Sequence, residues 1–160
     1  MIYAILYVCS VVLVNLAFSW GPLLPLPGGE LWSPVSLIVG FTFVIRDYAQ
    51  REVGHWVLPA MLLGGAISGI MADAGVATAS VCAFLVGEFL DWAVYTFTGR
   101  PFSQRILLSS AVSTPVDSTV FLAMVGIFSI PGVIMMTAGK MAGAVIVYFL
   151  ARRREACVIV

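Results

Sequence analysis

Long apolar runs are the feature of this sequence that most restricts its fold. Six apolar runs, each close to the length of a membrane-spanning helix, lie at roughly 2–20, 33–51, 57–74, 77–97, 105–128 and 131–150. Short stretches with Pro, Gly or charge separate them. A helix of about 20 apolar residues matches the thickness of a bilayer core. The alternating ten-residue segments of a membrane barrel are not seen. The sequence therefore predicts an all-α integral membrane protein, a six-transmembrane-helix bundle forming a single transmembrane domain over residues 1–160.

Composition supports this prediction. The chain is 61% hydrophobic and 10% charged, whereas soluble domains are about 45–50% apolar and about 25% charged. The net charge is zero, which offers no argument for a nucleic-acid partner. The three cysteines have no metal-ligand spacing, so we expect neither a metal site nor a cofactor. We expect the chain to be surrounded by the lipid bilayer.

Basic residues follow every second predicted helix. Loop 21–32 contains Glu30 and neither Lys nor Arg, and the turns at 74–77 and 129–130 contain no basic residue. The opposite ends of the predicted helices carry the basic residues Arg46, Arg51, His55, Arg100, Arg105 and Arg152 to Arg154. Because cytoplasmic loops are enriched in Lys and Arg, the sequence predicts that both termini lie in the cytoplasm. The first run lacks a preceding basic region, so we interpret it as a retained helix and not as a cleaved signal peptide.

The predicted fourth helix, which includes "AFLVGEFLDWAVY", carries two acids. Helical periodicity places Phe84, Glu88, Asp91 and Tyr95 on one face. Two ionised acids at mid-membrane would cost about 5–7 kcal/mol. The Val, Leu and Phe residues of this helix contribute only about 2.4–4.8 kcal/mol on insertion scales. The acids must therefore face the bundle interior or a water-filled cavity, be paired, or be protonated.

This face has two chemical interpretations. Its carboxylates can accept adjacent N–H donors from a flat, uncharged or cationic ligand, with Phe84, Trp92 or Tyr95 stacking on the rings. The same face also fits a proton or cation pathway. Neighbouring carboxylates disfavour each other's ionised form, so Glu88 or Asp91 is a candidate proton carrier.

Other polar residues interrupt the remaining predicted helices. Asp117 lies on the fifth helix, beside Pro115, which removes a backbone hydrogen bond and is expected to kink the helix and free a carbonyl. Lys140 lies on the sixth helix, and its candidate partners are Asp117, Glu88 and Asp91. The first helix offers Asn15.

The predicted second helix has a short apolar run, from Leu31 to Ile45, followed by the polar residues Arg46, Asp47 and Gln50. Short or interrupted spans often mark binding sites in transporters. These residues are therefore expected at the cytoplasmic edge of a cavity, although ordinary interfacial charge is an alternative. Gly65 and Gly69, and Gly139 and Gly143, have the spacing that lets membrane helices approach closely.

Four segments together resemble the vitamin uptake transporter family, which includes the YhhQ-like queuosine-precursor transporters. They are "GFTFVIRDYAQREVG", "ATASVCAFLVGEFLDWAVY", "STPVDSTVFL" and "PGVIMMTAGK". The resemblance implies uptake of a 7-deazaguanine, such as 7-cyano-7-deazaguanine, across the inner membrane. It points to Asp47, Glu88, Asp91, Asp117 and Lys140. Asp47 and Gly54 fit the family pattern on the second helix, whereas Arg51 and Val53 depart from it.

The leading hypothesis is a multi-pass secondary transporter of the inner membrane for a purine-like or vitamin-like small molecule, with proton coupling through Glu88 or Asp91. The alternatives are a substrate-binding subunit of a larger energised transporter and a channel-like oligomer. The sequence leaves a homo-oligomer open. An intramembrane aspartyl protease using Asp91 and Asp117 would need a Gly-x-Gly-Asp motif, which is not present. We therefore expect no enzyme and no catalytic residues.

Overall fold

The computed structural model describes residues 1–25 and 31–158, and this part of the chain is almost entirely helical. Its α-helices are α1 (Ile2–Trp20), α2 (Val35–Val53), α3 (Val57–Met71), α4 (Ala77–Phe97), α5 (Phe102–Val125) and α6 (Ile130–Val158). Two strands of two residues, β1 (Leu24–Pro25) and β2 (Leu31–Trp32), pair antiparallel between α1 and α2. Glu30, assigned above to the loop at 21–32, lies outside the described residues.

Five segments of the described chain are long and apolar enough to cross a membrane. They are Ile2–Trp20, Val35–Met71, Ala77–Phe97, Phe102–Val125 and Ile130–Glu155. The second segment contains both α2 and α3, joined by a 3₁₀ turn at Gly54–Trp56. The protein is therefore a multi-pass membrane protein, while six separate crossings stay a prediction.

The turn between α2 and α3 reverses the chain. Ala49 near the end of α2 and Val57 at the start of α3 both belong to the buried cluster around Tyr7 of α1. Farther along α3, the Ser68 hydroxyl donates to the Asn15 amide oxygen of α1 at 3.3 Å. α3 therefore runs parallel to α1 and antiparallel to α2. Gly54 has φ +60°, a left-handed conformation that glycine adopts without a steric penalty.

The helices form a closed ring. In order around the ring, α1 packs on α2, α2 on α6, α6 on α5, α5 on α4, α4 on α3, and α3 on α1. α2 also contacts α4 and α5, so it leans toward the centre of the ring. Its buried residues include both apolar and strongly polar side chains: Val35, Ser36, Gly40, Thr42, Phe43, Val44, Arg46, Asp47, Ala49 and Gln50.

Glycines occupy two of the closest helix contacts, as their spacing predicts. On α3, a Cβ added to Gly65 or Gly69 would lie within 3 Å of Leu85 or Val81 of α4. On α6, a Cβ at Gly143 would lie 2.9 Å from the backbone of Gly40 on α2. A Cβ at Gly40 would lie 2.0 Å from the Lys140 carbonyl oxygen. The α2–α6 contact is therefore a backbone-to-backbone approach, which small residues permit in membranes.

Some helix ends differ from the predicted ones. α5 begins at Phe102, where the Glu155 carboxylate accepts from the Ser103 backbone N–H at 3.0 Å and from its hydroxyl at 2.6 Å. α5 ends at Val125, three residues before the predicted end, and the following residue, Gly126, has φ +81°. α6 continues to Val158, eight residues beyond the predicted end, because a charged helix can extend past the bilayer into water. α2 begins only at Val35, since Leu31 and Trp32 lie in β2.

The arginine-rich loops and tail gather at one end of the bundle. There the Glu52 carboxylate accepts from the backbone N–H groups of Ile2 and Tyr3, each at 3.0 Å, and pairs with the N-terminal amine. The Arg51 guanidinium lies 4.6 Å from the centre of the Phe102 ring. Acids thus satisfy the free N–H groups at the starts of α1 and α5, a placement that the helix dipole favours.

Candidate functional site

A buried ionic cluster joins α2 to α4. The Arg46 guanidinium donates to the Asp91 carboxylate, and its Nε lies 3.2 Å from Glu88 Oε2. Its Nη1 donates to the Gln50 side-chain oxygen and lies 3.2 Å from Asp47 Oδ1. Arg46, Asp47 and Asp91 are 0% exposed, and Glu88 is 1% exposed. One guanidinium therefore serves three carboxylates in a region closed to solvent, and we call these four residues the Arg46 cluster.

Two side-chain contacts extend the Arg46 cluster. Asp47 accepts a hydrogen bond from the Ser109 hydroxyl of α5 at 3.4 Å. Gln50 donates to the Thr96 hydroxyl of α4 at 2.8 Å, and that hydroxyl donates to the Trp92 carbonyl at 2.7 Å. Residues from three helices are thereby fixed around the same charges.

A second ion pair joins α5 to α6. The Lys140 ammonium donates to the Asp117 carboxylate and to the Ser118 hydroxyl, the latter at 3.1 Å. Lys140 is 4% exposed and Asp117 is 7% exposed. Of the three partners that the sequence leaves open for Lys140, the structure selects Asp117. Glu88 and Asp91 are instead paired with Arg46.

The two ionic groups are neighbours across Gly87. A Cβ at Gly87 would lie 2.8 Å from the Asp117 Cβ and 3.5 Å from the Phe43 ring. Gly87 directly precedes Glu88 on α4, so its lack of a side chain brings α5 and the second ion pair close to the Arg46 cluster. The Phe43 ring, 3% exposed, packs at the same place.

Helical periodicity explains why these side chains converge. Phe43, Arg46, Asp47 and Gln50 recur at i, i+3, i+4 and i+7, and therefore form one face of α2. On α4, Glu88, Asp91 and Tyr95 are buried and Phe84 is half-buried, so the predicted face points inward. On α5, the buried positions Ser109, Ser110, Ser113, Thr114, Asp117 and Ser118 form a polar stripe.

The buried interior contains two more acids than bases. Its charged residues are the acids Asp47, Glu88, Asp91 and Asp117 and the bases Arg46 and Lys140. Within the described part of the chain, Asp91 Oδ1 also lacks a hydrogen-bond partner, whereas Asp47 Oδ1 and Glu88 Oε2 each contact Arg46 at 3.2 Å without an aligned hydrogen bond. Buried polar groups are normally paired. This interior can therefore accept further N–H donors, a cation or protons.

Within the described chain, four predicted site residues have no side-chain hydrogen bond or ion pair with either ionic group. Asn15 contacts Val11 and Ser68 at the α1–α3 contact. Phe84 packs against Gly64, and Trp92 lies beside His55 and Phe97. The Tyr95 ring faces Phe102 and the Arg105 guanidinium. Each of these three rings packs against another part of the bundle, and their stacking on a ligand stays a prediction.

Contrary to the prediction, Pro115 does not supply a free carbonyl to the site around Asp117. α5 continues as one helix through Pro115. The carbonyl that this proline leaves without its usual partner is that of Ala111, which is exposed, whereas Asp117 is buried. The site around Asp117 is therefore built from side chains.

Four polar residues near the ionic groups were not among the predicted site residues: Tyr7, Thr96, Ser109 and Ser118. The Tyr7 ring is 0% exposed, and its hydroxyl lies near Glu88 without a well-aligned hydrogen bond. Ser109 and Ser118 continue the α5 stripe that contains Asp117, so their spacing could have identified them. Tyr7 lies in a uniformly apolar run, and its sequence does not indicate which face of α1 is buried.

No group of three or more His, Cys, Asp or Glu side chains in residues 1–25 and 31–158 is arranged to hold a metal ion. The acids of the Arg46 cluster face a guanidinium instead. The chemistry available to them is acceptance of hydrogen bonds, binding of positive charge and exchange of protons.

Comparison with known proteins identifies the family. Residues 35–152, from the start of α2 to the arginine-rich part of α6, match the family model described as "Putative vitamin uptake transporter". No curated protein and no solved structure matches the chain. The matched range contains the Arg46 cluster and the Asp117–Lys140 pair, and it covers well over half of the chain. The protein therefore belongs to the vitamin uptake transporter family, a family of membrane transporters and not of enzymes.

Proposed function

We propose that the protein imports a small, flat, donor-bearing molecule, with a queuosine precursor of the 7-deazaguanine class as the leading candidate. The observation that carries this proposal is the excess of buried carboxylates over buried cations, together with Asp91 Oδ1, which lacks a hydrogen-bond partner in the described chain. A guanine-type edge presents adjacent N–H donors, which a carboxylate can accept in a bidentate manner. We assign this role to Glu88 and Asp91, with Arg46, Asp47 and Gln50 around them.

Proton coupling accounts for the excess of buried acids. If Asp47, Glu88, Asp91 and Asp117 were all ionised, Arg46 and Lys140 would balance only half of their charge. Uncompensated charge in the membrane interior is costly. Protons supply the missing positive charge when the substrate is neutral. Entry of substrate together with protons would then use the proton gradient to drive uptake.

The distribution of arginines supports an orientation for this uptake. The arginine-rich end of the bundle faces the cytoplasm by the positive-inside rule, which places both termini there and the β1–β2 pair on the opposite side. We assign the protein to the cell inner membrane with six crossings. The Arg46 cluster would then lie nearer the cytoplasmic surface, since Arg46 is seven residues from the end of α2, or about 10 Å along the helix.

The amide variants Glu88→Gln and Asp91→Asn test the binding role. Each keeps the side-chain size and removes the charge that accepts substrate donors. We expect uptake by proteoliposomes to fall by about tenfold or more, since a hydrogen bond to a charged group contributes about 1.5–3 kcal/mol. Glu52→Gln is the matched control, because Glu52 lies at the surface of the bundle. Wild-type uptake by both amide variants would contradict the proposal.

A ligand panel tests the substrate class directly. Thermal unfolding of the purified protein should shift upward with the correct ligand, because a ligand that binds the folded state stabilises it. The panel contains guanine, 7-cyano-7-deazaguanine, other 7-deazaguanines, queuine and common vitamins. A shift with a vitamin and none with any deazapurine would retain uptake but replace the substrate.

An alternative function is that of a substrate-binding subunit in a larger energised transporter. The closed, fully buried Arg46 cluster fits a capture site as well as a transport site. Proteoliposomes containing only this chain distinguish the two functions. Uptake that collapses with a proton ionophore supports the secondary transporter. Binding without uptake supports the subunit. Passive flux of the substrate supports a channel-like oligomer.

A further inference from the structure

A groove on the outer surface of the ring lies over α2, between α1 and α6. These two outer helices do not contact each other within the described chain, so α2 forms the floor. The groove has a volume of about 260 Å³. Its walls are mostly apolar and are contributed by all three helices, with Tyr3, Leu6, Phe41, Tyr48, Leu150 and Arg154 among the lining residues. The groove thus opens on the face that the bundle presents to lipid.

The groove continues into a wider pocket at the arginine-rich end. This pocket has a volume of about 570 Å³ and shares Tyr48, Ala151 and Arg154 with the groove. Arg51, Pro101, Phe102 and Glu155 complete its lining. An apolar channel therefore leads directly to two guanidinium groups, those of Arg51 and Arg154.

The charge of this pocket is not balanced by its own acid. The Glu155 carboxylate is directed at the start of α5, where it accepts two hydrogen bonds from Ser103. Among the described residues, the ion pairs include neither Arg51 nor Arg154. Arg51 is held in place by the Phe102 ring at 4.6 Å. The pocket is thus complementary to an anion.

The depth of the combined feature matches one leaflet of a bilayer. Arg51 and Phe41 are ten residues apart on α2, which corresponds to about 15 Å at 1.5 Å per residue. Half of a hydrocarbon core of about 30 Å is the same length. At the arginine-rich end of the groove, the Tyr3 and Tyr48 rings stack with their centres 5.2 Å apart. Such aromatic residues are typical of the membrane interface.

From these features we propose that the groove and pocket bind one anionic phospholipid of the leaflet at the arginine-rich end. An acyl chain lies in the apolar groove along Phe41 and Leu150, and the phosphate group lies between Arg51 and Arg154. Basic pockets between membrane helices are known sites for anionic headgroups. This lipid contacts α1, α2 and α6 together, so it covers the outer surface of α2 between the other two helices. The site does not depend on which molecule is transported.

Native mass spectrometry of the purified protein tests this proposal. The protein in detergent is titrated with phosphatidylglycerol and, separately, with neutral phosphatidylcholine of the same chain length. We expect phosphatidylglycerol to bind at least about tenfold more tightly. The double variant Arg51→Gln with Arg154→Gln should bind phosphatidylglycerol about thirtyfold more weakly, from the usual contribution of each arginine near an anionic lipid.

Two matched controls make the result specific. Arg152→Gln with Arg153→Gln removes the same net charge from residues that do not line the groove, and it should change the affinity by less than about threefold. Leu6→Phe with Leu150→Phe fills the groove and should weaken binding of both lipids. Leu13→Phe with Leu62→Phe alters exposed leucines elsewhere and should leave binding unchanged.

Four outcomes would overturn the proposal. The first three are equal binding of the two lipids, equal loss in both arginine double variants, and a complex whose mass contains a second copy of the chain in place of lipid. Displacement of bound phosphatidylglycerol by inorganic phosphate would also overturn it, because the acyl chain would then contribute nothing. Transport is not measured in this experiment, so failure of the proposed function cannot be mistaken for failure of the lipid site.

Discussion

Arg46 shows how much of this molecule depends on one side chain. Its guanidinium contacts acids from both α2 and α4 and also the amide of Gln50. An ionised Arg inside a membrane is expensive unless paired, and three carboxylates without a cation would be worse. Arg46 and its acids are therefore stable only as a group.

Replacement of Arg46 should be strongly destabilising. Arg46→Gln leaves Asp47, Glu88 and Asp91 buried without their cation, and the expected loss is about 3–5 kcal/mol. Unfolding of the purified protein in mixed micelles measures this loss. The combined variant Arg46→Gln with Asp91→Asn should recover part of it, because one unpaired charge is removed with the cation. A loss no larger than that of the exposed Arg153→Gln would contradict this view of the cluster.

Lys140 and Asp117 should behave as a coupled pair. Lys140→Met alone or Asp117→Asn alone leaves one buried charge, whereas the double variant leaves none. We expect each single variant to lose about 3–5 kcal/mol and the double variant to lose less than the sum. A double-mutant cycle on unfolding free energies measures the difference. Strict additivity would show that the pair contributes nothing as a pair.

Periodicity was sufficient to predict which face of α4 is buried, but not what that face contacts. Glu88 and Asp91 point inward because both lie at helical spacing from Tyr95 and Phe84, and spacing is a local property. Their partner Arg46 could not be predicted, since pairing depends on which helices are neighbours in the ring. For the same reason Lys140 had three candidate partners, of which only Asp117 is its partner in the structure.

At the scale of the helices, α2 and α6 approach each other backbone to backbone at Gly40. The Lys140 carbonyl occupies the space that a side chain at Gly40 would need, 2.0 Å from the added Cβ. The backbones can approach this closely only because Gly40 has no Cβ. This approach holds α2 against α6 one to two turns from Arg46, and so positions both ionic groups.

Gly40→Ala should therefore push α2 away from α6. Backbone atoms cannot move aside as a flexible side chain can, so we expect a loss of stability of about 1–3 kcal/mol or more. Uptake should fall at the same time, because Arg46 and Lys140 move with their helices. Gly75→Ala is the control, since an added Cβ there meets no atom within 4 Å. Equal unfolding curves for the two variants would argue against a tight α2–α6 contact.

Hydropathy predicted where helices occur better than where they end. The apolar runs mark the membrane-embedded parts, since burial in lipid demands apolar side chains and internally satisfied backbone groups. The extension of α6 through Arg152 to Arg154 lies in a charged stretch, and water does not impose that demand. At the early start of α5, Ser103 donates to Glu155, a contact distant in sequence that hydropathy does not reveal.

For the molecule as a whole, the hairpin of α2 and α3 determines the number of crossings. The helices are antiparallel in the structure and joined by the turn at Gly54–Trp56. If both cross the membrane, the ends of α3 lie on opposite sides. Single-cysteine variants Trp56→Cys and Asp73→Cys, made in a chain whose native cysteines are replaced by serine, test this.

A membrane-impermeant thiol reagent applied to intact cells should label Asp73→Cys and not Trp56→Cys. Thr98→Cys, at the same end as Trp56, should also resist labelling until the membrane is opened. Labelling of both ends of α3 from outside would exclude the six-crossing arrangement. Labelling of Trp56→Cys alone would reverse the orientation that the arginines predict.

The ring order also has a consequence for synthesis of the chain. α2 emerges with the Arg46–Asp47 ion pair, but Asp91, the further partner of Arg46, follows 45 residues later. At about 5–20 residues per second, α2 waits on the order of 2–9 s for this partner. α6, which packs on α2 in the ring, is made later than α4. Ribosome-bound chains that stop before α4 should therefore hold α2 at the insertion machinery and not in free lipid.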